Sequence, residues 1–435
     1  MEKKTCDCVI IGSGIGGMCA AAKLAHSGYK TIVIEKLPIL GGRYTQIEYK
    51  GYKICTAAYM ILYGKNDPVY LTLNEVGAPE IETAHTGPMP QTYRMGGKDY
   101  EMTGKGALRD MISWASKDKD EENRVMTALK RAMLWYEPPD TITFDDWMLQ
   151  YADSKTIRNL FQSLVAAWAG ANSWEITAGQ WFRILKGMTV GGNPIILKNG
   201  VKDVIDALEK VITGNRGEIL TRTRARRIIV EDGVARGVAA ERGGEELQIE
   251  AKTVISNAGP KKTIKLGGDH NFDRAYLKEV AERVKPAAGL EFTITSDEPL
   301  LDAPSVLFTA DTQRLECFVG DCTPDGKHLL RTASVPESTV LYSPMKEYDI
   351  FLRDLRETFP DFEKRGGRIL LARNFCGDWP FYGTWPGDCL GQKTPVEDLY
   401  NVGDAVIPGG WVGGSGAAAS ASAVVNDIKA RVKPT

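Results

Sequence analysis

One stretch near the N-terminus restricts this chain to very few folds. Asp7-Cys-Val-Ile-Ile is a short apolar run. It leads into Gly12-Ser-Gly14-Ile15-Gly16-Gly17, a small-residue segment from Met18, the turn Ser27-Gly28, a second apolar run Thr31-Ile-Val-Ile34, and Glu35. A GxGxxG string alone is a weak signal. Here a strand precedes it, a helix follows it, and an acid closes the next strand about 20 positions on, the context that a dinucleotide-binding βαβ unit requires. Each residue has a physical task. Gly12 permits the tight turn, Gly14 lets backbone approach a pyrophosphate, and Gly17 lets the helix pack closely on the sheet. The helix N-terminus presents unpaired N–H groups and a positive dipole end to phosphates. Glu35 accepts hydrogen bonds from a ribose hydroxyl and would repel a 2′-phosphate, which argues against NADP.

Composition excludes several alternatives. Lys and Arg number 54 against 56 Asp and Glu, so no basic field draws nucleic acid. The apolar runs stop well short of a bilayer span, so no transmembrane segment is expected. The N-terminus leads directly into a strand-like run without a small-residue cleavage site, and a cytoplasmic location is expected. Eight cysteines are spread thinly over 435 residues, and the four histidines are scattered. Packed thiols are expected, rather than a disulfide scaffold or a metal centre. Cys6 and Cys8 would share one face of the first strand.

The residues after Glu35 narrow the ligand. Lys36-Leu-Pro-Ile-Leu-Gly41-Gly42-Arg43 sets a glycine doublet and a cation directly beyond the ribose-binding acid. Here the sequence resembles the FAD-binding fingerprint of the flavoproteins that include phytoene desaturases and flavin amine oxidases. That resemblance places Gly41 and Gly42 against the cofactor and Arg43 near its phosphates, with Ile15, Gly16 and Lys36 beside them. A second block is similar to the same group. It comprises a helical pattern with apolar residues at 201, 204, 205, 208 and 211, a hairpin turning at Asp232-Gly233, and the closing run Lys252 to Pro260. The resemblance lays the backbone around Ala225 on the adenine and brings residues 256–259 near the flavin. The third block holds Gly403-Asp404 and Pro408-Gly-Gly-Trp411-Val-Gly413-Gly414-Ser-Gly416, ahead of a helix expected from Ala417 to about Ala430. By resemblance, Asp404 bonds the ribityl or phosphate region and the last helix points its N-terminus at the flavin ring.

The fold implied is α/β, with a Rossmann-like FAD-binding domain assembled from residues 1–60, 190–275 and 365–435. An α+β substrate-binding domain is inserted at 61–189 and 276–364. Within it, Thr143 or Thr141 would cap a helix starting at Phe144. Strand-like runs occupy 290–295, 305–309 and 315–319, and a helix runs from Tyr348 to Phe359 before Pro360.

The activity implied is that of an FAD-dependent oxidoreductase. Hydride would pass between flavin N5 and a carbon–carbon bond of a small apolar or cyclic substrate, in desaturation, saturation or isomerisation. The alternatives are a flavin amine oxidase acting on a C–N bond, and a non-catalytic carrier like the GDP-dissociation inhibitors. Trp411 lies inside the last glycine motif and is the leading catalytic candidate. Cys55, where relatives often carry Asp, and Tyr59 follow it, and Tyr63 shares that segment. Trp379-Pro-Phe-Tyr382, Trp385, Trp168, Trp174 and Trp181 offer aromatic walls for a conjugated substrate. The sequence carries no signal for the electron partner or the oligomeric state.

Overall fold

The computed structural model describes residues 2–85, 87–102, 107–116, 118–314, 317–322, 326–338, 342–387 and 389–435 of a mixed α/β chain. Two compact units divide it. The first comprises Met1–Thr86, Val190–Lys285 and Asp388–Thr435, and the second Gly87–Thr189 and Pro286–Gly387.

In the first unit, strand Glu2–Ile11 runs parallel between Glu245–Ser256 and Thr31–Ile34, matching Val9 with Val254 and with Ile32. Thr31–Ile34 pairs outward with Glu218–Leu220. On the other side, Glu245–Ser256 carries two antiparallel neighbours in turn, Val234–Arg242 and Thr223–Glu231. Leu399–Asn401 joins Glu245–Ser256 in parallel, at residues 254–256. The central strand is buried on both faces, which explains an unbroken apolar run instead of alternation. Cys8 and Ile10 pack with helices Ile15–His26, Lys202–Gly214 and Gly413–Arg431, while Val9 and Ile11 pack into a second cluster.

Several local expectations meet the structure directly. Val201, Val204, Ile205, Leu208 and Val211 are buried along one stripe of the helix and its start. Asp232 and Gly233 both take positive φ, 49° and 77°, as a two-residue hairpin requires. Cys6 departs from the expected face and packs in the cluster opposite to Cys8. The N–H groups of Asp7 and Cys8 both donate to the Lys30 carbonyl, at 2.9 and 3.2 Å, which breaks the alternation there. Burial pushes the Cys6 and Cys19 thiols up to about 12, so both serve as packing. The C-terminal helix begins at Gly413, before the expected Ala417. Glycines there disfavour helix intrinsically, but the Ser415 hydroxyl donates to buried Asp67 at 2.6 Å and fixes the turn.

The second unit is built on an antiparallel sheet in the order Arg368–Phe375, Gly289–Ser296, His328–Ser334, Cys317–Cys322, Ser305–Thr309, Gln91–Met95, Lys98–Met102, with one parallel pair, Gln91–Met95 on Ser305–Thr309. Helix Pro344–Thr358 covers one face, where Phe351 stacks on Phe292 with ring centroids 3.5 Å apart. That helix starts earlier than expected because Pro344 occupies its first turn, where a fixed φ and a missing N–H are no burden. Thr143 is the cap expected for Phe144–Met148, accepting from the Asp146 N–H. Of the run expected at 315–319, residues 315 and 316 lie outside the described residues.

Three stretches fall across the boundaries drawn from the sequence. Residues 61–86, with helix Pro68–Glu75, belong to the first unit, where Val69 and Leu73 pack with Leu24. Helix Arg274–Arg283 belongs to the first unit, because Tyr276 and Val280 pack with Ile264 and Leu266. Arg368–Phe375 belongs to the second, since its full length pairs with Gly289–Ser296.

Candidate functional site

The glycine turn and Glu35 form one rigid corner of the first unit. Gly12, at φ 94°, ends the central strand with its N–H on the Ile34 carbonyl at 2.8 Å. A side chain on Gly17 would collide with the Gly12 carbonyl, so only glycine lets the helix sit this close to the turn. Glu35 is 7% exposed. Its Oε2 accepts from the Ser13 N–H (2.9 Å) and hydroxyl (2.8 Å), and its Oε1 accepts from the Leu37 N–H (2.8 Å). Three fixed donors aim the carboxylate; they fill Oε2 and leave Oε1 one further acceptor site. The Thr223 N–H donates to the Glu35 carbonyl at 2.8 Å. That bond brings Ala225, two residues along the same strand, to the Glu35 corner. An irregularity in the pairing between Ala225 and Arg227 bends the strand there. Lys36 is exposed immediately beyond.

Bare backbone continues from this corner. Gly41 donates to the Ser13 carbonyl at 3.0 Å and bridges to Gly14 in parallel. The Gly42 carbonyl accepts from the Thr56 hydroxyl at 2.9 Å. Asn257 stands at the centre of the glycines. Its amide oxygen accepts from the Gly14 N–H (3.1 Å) and its amide nitrogen donates to the Val402 carbonyl (3.2 Å). A Cβ on Gly14 would collide with that amide, and one on Gly403 would lie 2.7 Å from it. On Gly16 a Cβ would meet the Gly403 nitrogen at 3.1 Å and the Ala417 carbonyl at 3.2 Å. The three sequence blocks therefore converge around Asn257, where glycines let their backbones pack closely.

Arg43 and Asp404, 361 positions apart, form a two-pronged ion pair at 2.7 and 2.9 Å. Their side chains are 29% and 16% exposed, leaving the pair half-buried.

Beyond it begins the C-terminal helix, whose cap Val412 supplies no side-chain bond and whose first turn holds no acid. Its leading N–H groups carry the positive end of the helix dipole. Gly414 abuts the Tyr44 ring, which a Cβ would reach at 2.6 Å. Tyr44 is 4% exposed and its hydroxyl has no partner among the described residues. Burial, with Asp67 next in effect, drives that phenol well above its ordinary range. Asp67 accepts from the Ser415 hydroxyl and from the Tyr63 and Val69 N–H groups, while burial raises its carboxyl. Trp411 packs edge-on against Tyr63, with centroids 4.8 Å apart, and the Tyr63 hydroxyl donates to the Gly410 carbonyl at 3.2 Å.

Other candidates disperse. Cys55 is 2% exposed at the end of the hairpin Gln46–Tyr49/Tyr52–Cys55, accepting weakly from Gln46, and packs in the core with Tyr59 against the same cluster. Trp181 is core of the second unit, enclosed with Phe144. Trp379 to Tyr382 also belong to that unit. Sequence reading missed Ser13, Tyr44, Asp67 and Ser415, whose roles come from contacts across the chain. Ser13 and Ser415, each inside a glycine string, carried a local signal, and Tyr44 and Asp67 carried none.

The chemistry of this set fits a dinucleotide carrying an adenosine and a flavin. It offers an aimed carboxylate at one end, a glycine surface with a guanidinium in the middle, and an open helix N-terminus beside an orphaned phenol at the other.

A family model described as flavin containing amine oxidoreductase matches residues 15–427. An uncharacterized protein of Methanocaldococcus jannaschii is 26% identical over 428 residues, spanning 96% of this chain and 98% of its own. A chloroplastic prolycopene isomerase of Daucus carota is 24% identical, over 93% of this chain and 77% of its own. The crystal structure of an oxidoreductase from Methanosarcina mazei superposes with a TM-score of 0.87 at 27% identity, covering 97% of this chain and all of that one.

Proposed function

The chain belongs to the flavin-containing amine oxidoreductase family, and on that premise we propose that it is an FAD-dependent oxidoreductase acting on a carbon–carbon bond of an apolar or cyclic small molecule. The observation that carries the cofactor assignment is Glu35, buried and held by three hydrogen bonds at the head of the glycine turn. In this reading the first unit is the FAD-binding domain and the second holds the substrate. Glu35 takes a ribose hydroxyl, with Lys36 beside it and the Ala225 backbone along the adenine. Gly12, Gly14, Ile15, Gly16 and Gly17 meet the pyrophosphate, and Gly41 and Gly42 give it a surface without side chains.

Arg43 neutralises phosphate charge while Asp404 orients the guanidinium, and Gly403 keeps that approach open. Gly413 and Gly414 let the helix N-terminus reach the ring system, where its dipole favours negative charge. Bound FAD supplies two-electron exchange with carbon, and the protein orients the partners and excludes water. Trp411, braced by Tyr63, forms an aromatic wall for the reacting carbon. The likeness to the prolycopene isomerase supports carbon–carbon over carbon–nitrogen chemistry. No helix among the described residues is long and apolar enough to cross a membrane.

The test is an absorption spectrum of the purified protein, repeated without oxygen after adding pools of alkenes, enones or amines. An oxidised-flavin spectrum bleached by hydride-donating alkenes, or a dithionite-reduced one reoxidised by enones without oxygen, is expected. Bleaching by amines alone would replace this reading with amine oxidation. A colourless protein that takes up no added FAD would return it to the carrier class.

Trp411→Ala is expected to lower turnover or raise KM roughly tenfold while costing little stability, since the side chain is only partly buried. A lowered melting temperature with unchanged kinetics would make Trp411 a packing residue.

A further inference from the structure

The second unit contains a buried polar face that the cofactor assignment does not use. On strand Gly289–Ser296, Leu290, Phe292 and Ile294 pack in the cluster that helix Pro344–Thr358 joins. Glu291 and Thr293 therefore lie on the opposite face. Glu291 stands opposite Arg373 in the neighbouring strand, and Thr293 stands opposite Arg331 in the other. Glu291 is 6% exposed, Thr293 1% and Arg331 6%. The Arg373 side chain is 17% exposed.

Arg373 donates to Glu291 Oε1 through Nη2. Its Nε and Nη1, Glu291 Oε2 and the Thr293 hydroxyl are all buried without a partner among the described residues. An orphaned buried polar atom is costly, and more so on a charged group. An ion pair kept for stability alone would close those bonds. Donors on a guanidinium, clustered with an open carboxyl oxygen, form a receptor for an acceptor group, and carboxylates match guanidinium geometry best.

Aromatic rings complete the face. The guanidinium carbon of Arg373 lies 6.0 Å from the Phe375 ring, and Phe381 meets Phe375 edge-on at 5.5 Å. Gly289 makes room, since a Cβ there would lie 3.3 Å from Phe381.

We propose that the Arg373–Glu291 face binds the carboxylate of an otherwise apolar or aromatic small molecule. This deepens the flavoenzyme reading and rests on it for one point, that this molecule is the one oxidised or reduced. Near neutral pH Glu291 is divided between its neutral and charged forms, and only the charged form repels such a ligand. Burial pushes its carboxyl up to about 7, against the opposing pull of Arg373 and Arg331, the charged groups that face it. Protonated, Glu291 donates to the ligand carboxylate, and the proton comes from solvent on binding.

The experiment is calorimetric titration of the flavin-loaded protein with trans-cinnamate, benzoate and decanoate, each beside its methyl ester, from pH 6 to 8. Wild-type protein is expected to prefer carboxylate to ester and to bind it more tightly as pH falls through 7. Arg373→Gln should weaken carboxylate binding about 10- to 100-fold and leave ester binding unchanged. Glu291→Gln should bind without the pH dependence. Absence of carboxylate preference in the wild type, or its survival in folded Arg373→Gln, overturns the proposal. If Arg373→Gln does not fold, wild-type binding that ignores pH overturns it equally. The flavin spectrum, recorded on the same samples, separates the two readings. A normal spectrum without carboxylate preference removes this site alone. Carboxylate preference without any flavin uptake supports the site and removes the flavoenzyme assignment.

Discussion

Glu35→Ala is expected to release FAD about 100-fold more readily than the unmodified protein, measured by fluorescence titration after stripping and reloading. A carboxylate accepting a hydrogen bond from a ribose hydroxyl contributes about 1.5–3 kcal/mol, so losing one such bond at the upper end of that range reaches that factor. The side chain has little freedom to dissipate the effect, because Ser13 and Leu37 hold both of its oxygens. Removing it also strands the Ser13 N–H and hydroxyl, where Ser13 is fully buried. Stability should therefore fall as well, by about 1–3 kcal/mol. Glu35→Gln keeps one acceptor and separates these effects, retaining more fold stability than FAD affinity. A Glu35→Ala protein binding FAD within threefold of the original would remove Glu35 from the cofactor site.

Gly17→Ala should lower stability by roughly 3 kcal/mol, since overpacking a close contact costs about that much. The added methyl group meets the Gly12 backbone carbonyl, and backbone cannot swing aside as a side chain tip would. Either the helix lifts from the sheet or the glycine turn deforms, so FAD retention should fall along with the melting temperature. Gly214→Ala is the matched control, at a helix end with nothing within 4 Å of the new methyl. There the change is expected to be neutral or slightly stabilising, by about 0.4–1 kcal/mol. A Gly17→Ala protein melting with the Gly214→Ala control would show that the helix does not depend on this close approach.

Features set by neighbouring residues were legible in the chain itself. The apolar run to Ile11, the glycine turn, the Asp232-Gly233 hairpin and the stripe from Val201 to Val211 each follow from local periodicity or backbone freedom. Those rules act over a few residues, so one sequence suffices to apply them. The family resemblance rested on three such local blocks.

Features requiring distant segments to meet were not legible. The pairing of Arg43 with Asp404, the seat of Asn257 among the glycines, and Asp67 locking Ser415 depend on how strands and helices come together. The helix starts at Gly413 for that reason: glycine propensity opposes it, and a contact from Asp67 overrides the propensity. Cys55 read as a chemical candidate by position, yet tertiary packing buries it in a hairpin. Glu291 and Arg373 drew no attention in the sequence, since each is one charge in a strand. Register between antiparallel strands alone sets them opposite one another, and burial alone turns that pair into a receptor. Local chemistry thus determined what this chain is built to hold, and long-range register decided which side chains surround it, because only the folded chain fixes which residues lose their water together.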